Sequence, residues 1–257
     1  MDSYLDQLFS VRDRVAVVTG GSSGIGRSIA LALGQAGAAV VIIARDRANL
    51  QDAAAELTLA GCRVCTVSAD LADRAAVARA ADQASDSFGP PDILVNSAGL
   101  NLRPPLAELT TAAFDELIAV NLTAPFLLGQ RFGPQMAGRG WGRIINITSQ
   151  QADRAFGNSG GYGVAKGGVA SLTRSQSEAW APRGVCCNAI CPGFVVTPLT
   201  AEVSADPARL AALAARTMVG RNGVPADFAG AAVFLASPAS DYVTGQIIRV
   251  DGGFSAT

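Results

Sequence analysis

The chain has 257 residues, 49% of them hydrophobic and 16% charged, with a formal net charge of −1 and no histidine. That apolar content can fill the core of one large α/β domain, while a near-neutral balance with scattered arginines argues against a nucleic-acid groove built on charge. The missing histidines remove Ser-His and Cys-His nucleophile systems and the commonest metal ligand. Acid–base work therefore falls to carboxylate, tyrosine, lysine or thiol, and no metal site is expected.

The start, Met1 to Asp6, has no basic segment followed by an apolar stretch, so no secretory signal is expected. No uninterrupted apolar run reaches the roughly 18 residues of a membrane span. Five cysteines, an odd number, fit a reducing cytosol.

In chain order, Val15 to Val18 reads as the first strand. It runs through Thr19-Gly20-Gly21-Ser22-Ser23-Gly24-Ile25-Gly26 into a helix over 25–36. Glycines let a backbone approach a pyrophosphate, and a helix N-terminus offers amide donors and positive potential, so this segment is a dinucleotide site. The second strand, Ala39 to Ile43, ends at Ala44-Arg45-Asp46. A carboxylate at the position of Ala44 would repel a 2′-phosphate; its absence, with Arg45 next and Ser22 in the loop as a further donor, favours NADP(H) over NAD(H). The alternative has Arg45 solvated and Asp46 on the ribose.

A helix over 47–59 precedes a strand from Val64 to Ser68. Cys62-Arg63-Val64-Cys65 has CxxC spacing without a second pair, which reads as structural thiols rather than a redox or zinc site. A helix over 73–88, a strand from Ile93 to Val95, one long helix over 111–136, a strand from Arg143 to Ile147 and a helix over 160–181 follow. That last helix carries Tyr162 and, four residues on, Lys166, the only lysine beside nineteen arginines. The spacing places both on one face, where a compact ammonium could lower the phenol's pKa; an ordinary packed helix would show the same spacing. A strand from Cys186 to Ile190 stops at Cys191-Pro192-Gly193. Residues 197–221, with a helix near 207–216, read as a substrate lid or a plain surface excursion. A helix over 225–236 and a strand from Gln246 to Val250 close the chain. Seven strands with intervening helices make one doubly wound parallel sheet spanning residues 1–257 as one domain.

Thr19-Gly20-x-x-x-Gly24-x-Gly26, Asn96-Ser97-Ala98-Gly99, Ser149 and Tyr162-x-x-x-Lys166 together resemble the short-chain dehydrogenase/reductase family. The resemblance implies Tyr162 as general acid/base, Ser149 orienting the reacting oxygen, Lys166 on the nicotinamide ribose, and Asn121 holding a water chain to the lysine. It implies further cofactor contacts at Asp70 and Leu71 near the adenine, at Asn96 and Ala98, and along Pro192, Gly193, Val195 and Thr197. Ser97 stands where the family more often has a second asparagine. Within the family the chain is similar to sugar-acid oxidoreductases of the gluconate 5-dehydrogenase kind, through Leu8-Phe9-Ser10, Asn101-Leu102-Arg103-Pro104-Pro105, Ser149-Gln150-Gln151 and Gly230 to Leu235. Arg103 and Gln151 then become candidates for gripping a carboxylate and hydroxyls; Arg103 also reads as a surface arginine. A cytoplasmic homotetramer acting on a small molecule is the implied form. A 3-oxoacyl thioester reductase, working on an acyl-carrier protein, and a non-catalytic nucleotide sensor are the alternatives.

Overall fold

The computed structural model describes residues 3–256. Seven strands, β1 (Val15–Thr19), β2 (Ala39–Ala44), β3 (Arg63–Ser68), β4 (Ile93–Asn96), β5 (Gly142–Ile147), β6 (Val185–Pro192) and β7 (Ile247–Val250), form one sheet in the order β3-β2-β1-β4-β5-β6-β7. Every pairing is parallel. Parallel strands need crossovers, and the helices that make them cover both faces of the sheet.

The strand sequences show why both faces are dry. Side chains alternate between faces, and here both alternating sets are apolar. Ala16, Val18, Val40, Ile42, Ile93, Val95, Ile145 and Ile147 point into one core, together with residues of α2 (Gly24–Gln35), α3 (Arg47–Leu59) and α10 (Ala229–Ala236). Val17, Val41, Ile43, Leu94 and Ile144 point into the other, against α4 (Arg74–Phe88) and α6 (Ala124–Gly138). α7 (Gly160–Trp180) lies beside α6 so closely that a Cβ on Gly133 would sit 2.4 Å from the Trp180 ring. Cys62 packs under α2, and Cys65 is half-buried in β3 beside the second core.

Three differences from the sequence reading have local causes. A six-residue helix, α1 (Tyr4–Phe9), precedes the sheet, held by reciprocal Ser3–Asp6 capping; with no buried residue it shows no apolar period. The long helix expected over 111–136 is interrupted. It consists of α5 (Thr111–Ile118), a π-turn over Ala119–Thr123 and α6. Within that turn Asn121 Nδ2 donates to Leu117 O (3.0 Å) and Leu100 O (2.8 Å), and Pro125 has no N–H for the carbonyl four residues back. Residues 225–236 divide into a 3-10 turn, Pro225–Phe228, and α10. Among the described residues, Thr111–Gly138 is the one helical stretch long and apolar enough by composition to cross a membrane; Leu117, Leu128, Phe132 and Met136 are buried within the fold.

Residues 197–221 fold into a 3-10 turn, Pro198–Thr200, then α8 (Ala201–Ser204) and α9 (Pro207–Ala215). Thr197 to Thr200 and Arg209 of this segment share a cleft with Gly20 and Ser149, which follow β1 and β5.

Candidate active site

In a doubly wound sheet the crevice opens where strand order reverses, here between β1 and β4. A cleft of about 330 Å³ occupies that place. One wall is the loop after β1. Gly20 has φ +67°, and a Cβ there would meet Ala98 Cα at 2.8 Å; one on Gly26 would meet Gly20 O at 2.3 Å. Only hydrogen fits at either position. Thr19 Oγ1 accepts from the amides of Ser97 and Ala98, both at 3.1 Å, and so ties the loops after β1 and β4 together. α2 begins at Gly24 with no acidic residue in its first turn and no side chain capping its amides. These donors face outward toward any anion laid along the loop.

The facing wall is made of side chains. Ser149, at the end of β5, opens a 3-10 turn and accepts from Gln151 N at 3.2 Å. Tyr162 and Lys166 stand in the first turns of α7, both buried, with the ammonium 5.6 Å from the phenol ring centroid. Burial pushes the Tyr162 phenol up to about 12; a hydrogen bond with Ser149 opposes this, the neighbouring Cys191 thiol adds to it, and Arg103 opposes it more weakly. Burial pushes Lys166 down to about 8. In the chain by itself desolvation sets the net direction of the phenol's pKa, upward, whereas the sequence reading expects a phenol lowered by Lys166. Lys166 Nζ donates to Ile147 O at 2.8 Å. A Cβ on Gly99 would lie 3.2 Å from Asn121 Oδ1 and 4.0 Å from Lys166 Nζ, so both side chains border that glycine.

The remaining residues divide by position. Gly20, Ser23, Gly24, Ile25, Gly26, Ala98, Pro192, Gly193, Val195 and Thr197 line the cleft, as do Arg103 and Gln151. Arg103 donates to Gly157 O at 2.5 Å, and the Gln151 side chain is held by Ser159 Oγ at 2.8 Å. Ser22 is half-buried and does not line the cleft. Arg45 and Asp70 are exposed at the carboxyl ends of β2 and β3, while Leu71 is buried in the second core. Asp46 caps α3 by accepting from Asn49 N at 2.8 Å, and Arg45 beside it is exposed with no such local partner among the described residues. Asn96 is buried and turned inward; its Nδ2 donates to Asn146 Oδ1 at 2.8 Å, and the following Ser97 to Gly99 form the wall. Asn101, Phe156, Leu199, Glu202 and Arg209 also line the cleft. No sequence signal separates these from ordinary loop residues, because only the fold brings four distant segments to one opening.

A cradle with room for backbone alone, an uncapped helix start and an exposed arginine at the second strand's end fit a phosphorylated dinucleotide. Opposite it stand a serine, a tyrosine and a lysine without metal ligands among them. Fold and site define a dinucleotide-dependent oxidoreductase of the Rossmann type. A family model described as enoyl-(acyl carrier protein) reductase matches residues 20–255. The chain belongs to the short-chain dehydrogenase/reductase family. It is 37% identical over 250 residues to the gluconate 5-dehydrogenase of Gluconobacter oxydans (strain 621H), covering 97% of this chain and 98% of that protein. It is 42% identical over 246 residues to the cis-4-hydroxycyclohexanecarboxylate dehydrogenase of Sinomonas cyclohexanicum, covering 95% and 97%. The crystal structure of a gluconate 5-dehydrogenase from Burkholderia cenocepacia J2315 in complex with NADP and tartrate superposes with a TM-score of 0.93 at 36% identity, covering 99% of this chain and 100% of that one.

Proposed function

We propose that the protein is an NADP(H)-dependent oxidoreductase that interconverts a carbonyl and a secondary alcohol on a small sugar acid, with gluconate and 5-ketogluconate as the reference pair. The observation that carries this reading is that Arg103 and Gln151 line the same cleft as Ser149 and Tyr162, with Gln151 N on Ser149 Oγ and Arg103 near enough to act on the phenol. A carboxylate gripped at one end of a short polyhydroxy chain leaves a carbon further along it beside the phenol. The cofactor, when bound, supplies or receives a hydride at that carbon. Tyr162 gives its proton to the oxygen becoming a hydroxyl while Ser149 donates to the same atom; in oxidation the phenol takes the proton back. A phenol held up at about 12 is fully protonated at neutral pH, the state reduction requires.

Gly20, Ser22, Ser23, Gly24, Ile25 and Gly26 hold the phosphates, Arg45 takes the 2′-phosphate, and Asp70 and Leu71 flank the adenine. Asn96 and Ala98 buttress the ribose side, with Asn121 and Lys166 beside them, and Pro192, Gly193, Val195 and Thr197 turn under the nicotinamide. The whole chain acts as one domain, residues 197–221 being its substrate lid. It works in the cytoplasm as a homotetramer joined through α5–α6, α7 and the C-terminal strand with its tail, Gln246 to Thr257, the last residue lying outside those described; β7 is a sheet edge whose Ile247 and Ile248 remain half-buried in one chain.

The test is a panel of 5-ketogluconate and related sugar acids, their neutral polyol counterparts and acetoacetyl thioesters, followed by NADPH absorbance. Sugar acids should be turned over with the highest kcat/KM. A preference for the thioesters would overturn the substrate assignment, and an absence of turnover on all of them would favour a nucleotide sensor. Light scattering after size exclusion should report about four chains.

A further inference from the structure

The C-terminal segment Asp251 to Ala256 has no part in the proton and hydride transfer, yet it touches both the loop after Ser149 and residues 216–219 beyond α9. Asp251, directly after β7, is a hub. Its carboxylate accepts from Gln150 Nε2 at 3.2 Å, Gly253 N and Ser255 N at 3.0 Å each, and also from Ser255 Oγ. Burial pushes this carboxyl up, and the hydrogen bonds from Ser255, Gln150 and Gly253 overcome that and hold it below its ordinary value. Gln150 immediately follows Ser149. From the same serine loop, Arg154 donates to Ser255 O at 2.6 Å, and Phe156 stacks on Phe254 with ring centroids 6.1 Å apart. The residue after Phe156 is Gly157, whose carbonyl holds Arg103.

The tail's other side meets the end of the lid. The Arg216 guanidinium lies 4.2 Å from the Phe254 ring centroid. Val219 N donates to Gly252 O at 3.2 Å, and a Cβ on Gly253 would meet Met218 Cγ at 2.8 Å. Phe254 is thus a buried ring shared between the serine loop and the lid.

We propose that Phe254 and Asp251 are positioning residues that lock the lid's end to the serine loop, so that the seat of α9 sets where Phe156 and Gly157 place Arg103. An aromatic ring engages both sides at once, by stacking and by the cation on its face. This inference rests on the reading of Arg103 as a substrate grip.

The test uses the full-length protein with NADPH and 5-ketogluconate. Phe254→Leu keeps apolar bulk but removes the ring; it should raise KM about tenfold, because small misplacements of a gripping group cost heavily, with kcat and NADPH affinity within about twofold of the parent. Phe254→Tyr should restore KM. Arg216 is exposed, so Arg216→Gln cannot empty the core; KM should rise about threefold in the same direction, and combining it with Phe254→Leu should add nothing further. Unchanged KM in both variants would overturn the proposal, as would equal losses in KM and NADPH affinity, which would mark general loosening. If the parent turns over no sugar acid, the substrate reading fails by itself. The same KM split, measured on whichever carbonyl compound the parent does reduce, then decides whether the tail positions the loop.

Discussion

At the glycine loop the cleft wall is backbone. Gly20 and Gly26 have no room for a Cβ, and beside the backbone stands one exposed arginine, Arg45. Across the cleft the wall is side chain: Tyr162 and Lys166 are buried, with pKa values displaced in opposite directions by the same cause. A backbone site is set by shape and tolerates exchange of the charges around it. A buried side-chain site depends on single atoms and on desolvation, so small substitutions there should cost far more.

Tyr162→Phe is the severest test of that contrast. Loss of one hydroxyl should lower turnover at least about a hundredfold while NADPH binding, measured by fluorescence titration, stays intact. Turnover within twofold of the parent would remove Tyr162 from the mechanism.

Lys166→Arg keeps the charge and enlarges the group in a site that is 3% exposed. Activity should fall about thirtyfold or more, since a planar fork cannot replace a compact ammonium that donates to Ile147 O. Normal turnover with an unshifted pH–rate profile would reduce Lys166 to a packing residue.

At the backbone end, Ala44→Asp with Arg45→Ala should shift cofactor preference about tenfold toward NADH, because a phosphate partner is lost and a repelling carboxylate gained. The ratio of kcat/KM for the two cofactors measures it; an unmodified protein that uses NADH and NADPH equally would already contradict the role of Arg45.

The smallest effect is on stability against pH. Lys166 is depressed from 10.5 to about 8 in the folded chain. Between those values the unfolded chain binds the extra proton, so stability should rise with pH through this window and fall back as pH drops through about 8. Tyr162, raised from 10.0 to about 12, acts oppositely at higher pH: its contribution is present below 10 and lost as pH climbs through about 12. Thermal melts of the cofactor-free parent against Lys166→Met should diverge between pH 8 and 10.5, the parent gaining; parallel curves would show that the ammonium is not desolvated.

The strands, the glycine turn, the Tyr162–Lys166 spacing and the family were legible in the sequence because each is local. Alternation of two apolar sets, or a spacing of four on a helix, is complete within a few residues and survives any packing. Asp46 as a cap was hidden by its proximity to Arg45, and the interrupted helix at Asn121 by an apolar pattern that runs straight across it. The direction of the phenol's pKa, the inward turn of Asn96, the seat of Arg103 on Gly157 and the bridge from Gln150 to Asp251 were decided only in three dimensions. They depend on how much water is excluded and on which residues, 50 to 101 positions apart for the three contacts, share a surface. Desolvation and long-range contact are properties of the packed chain, so a linear reading can name the groups involved and cannot set their energies.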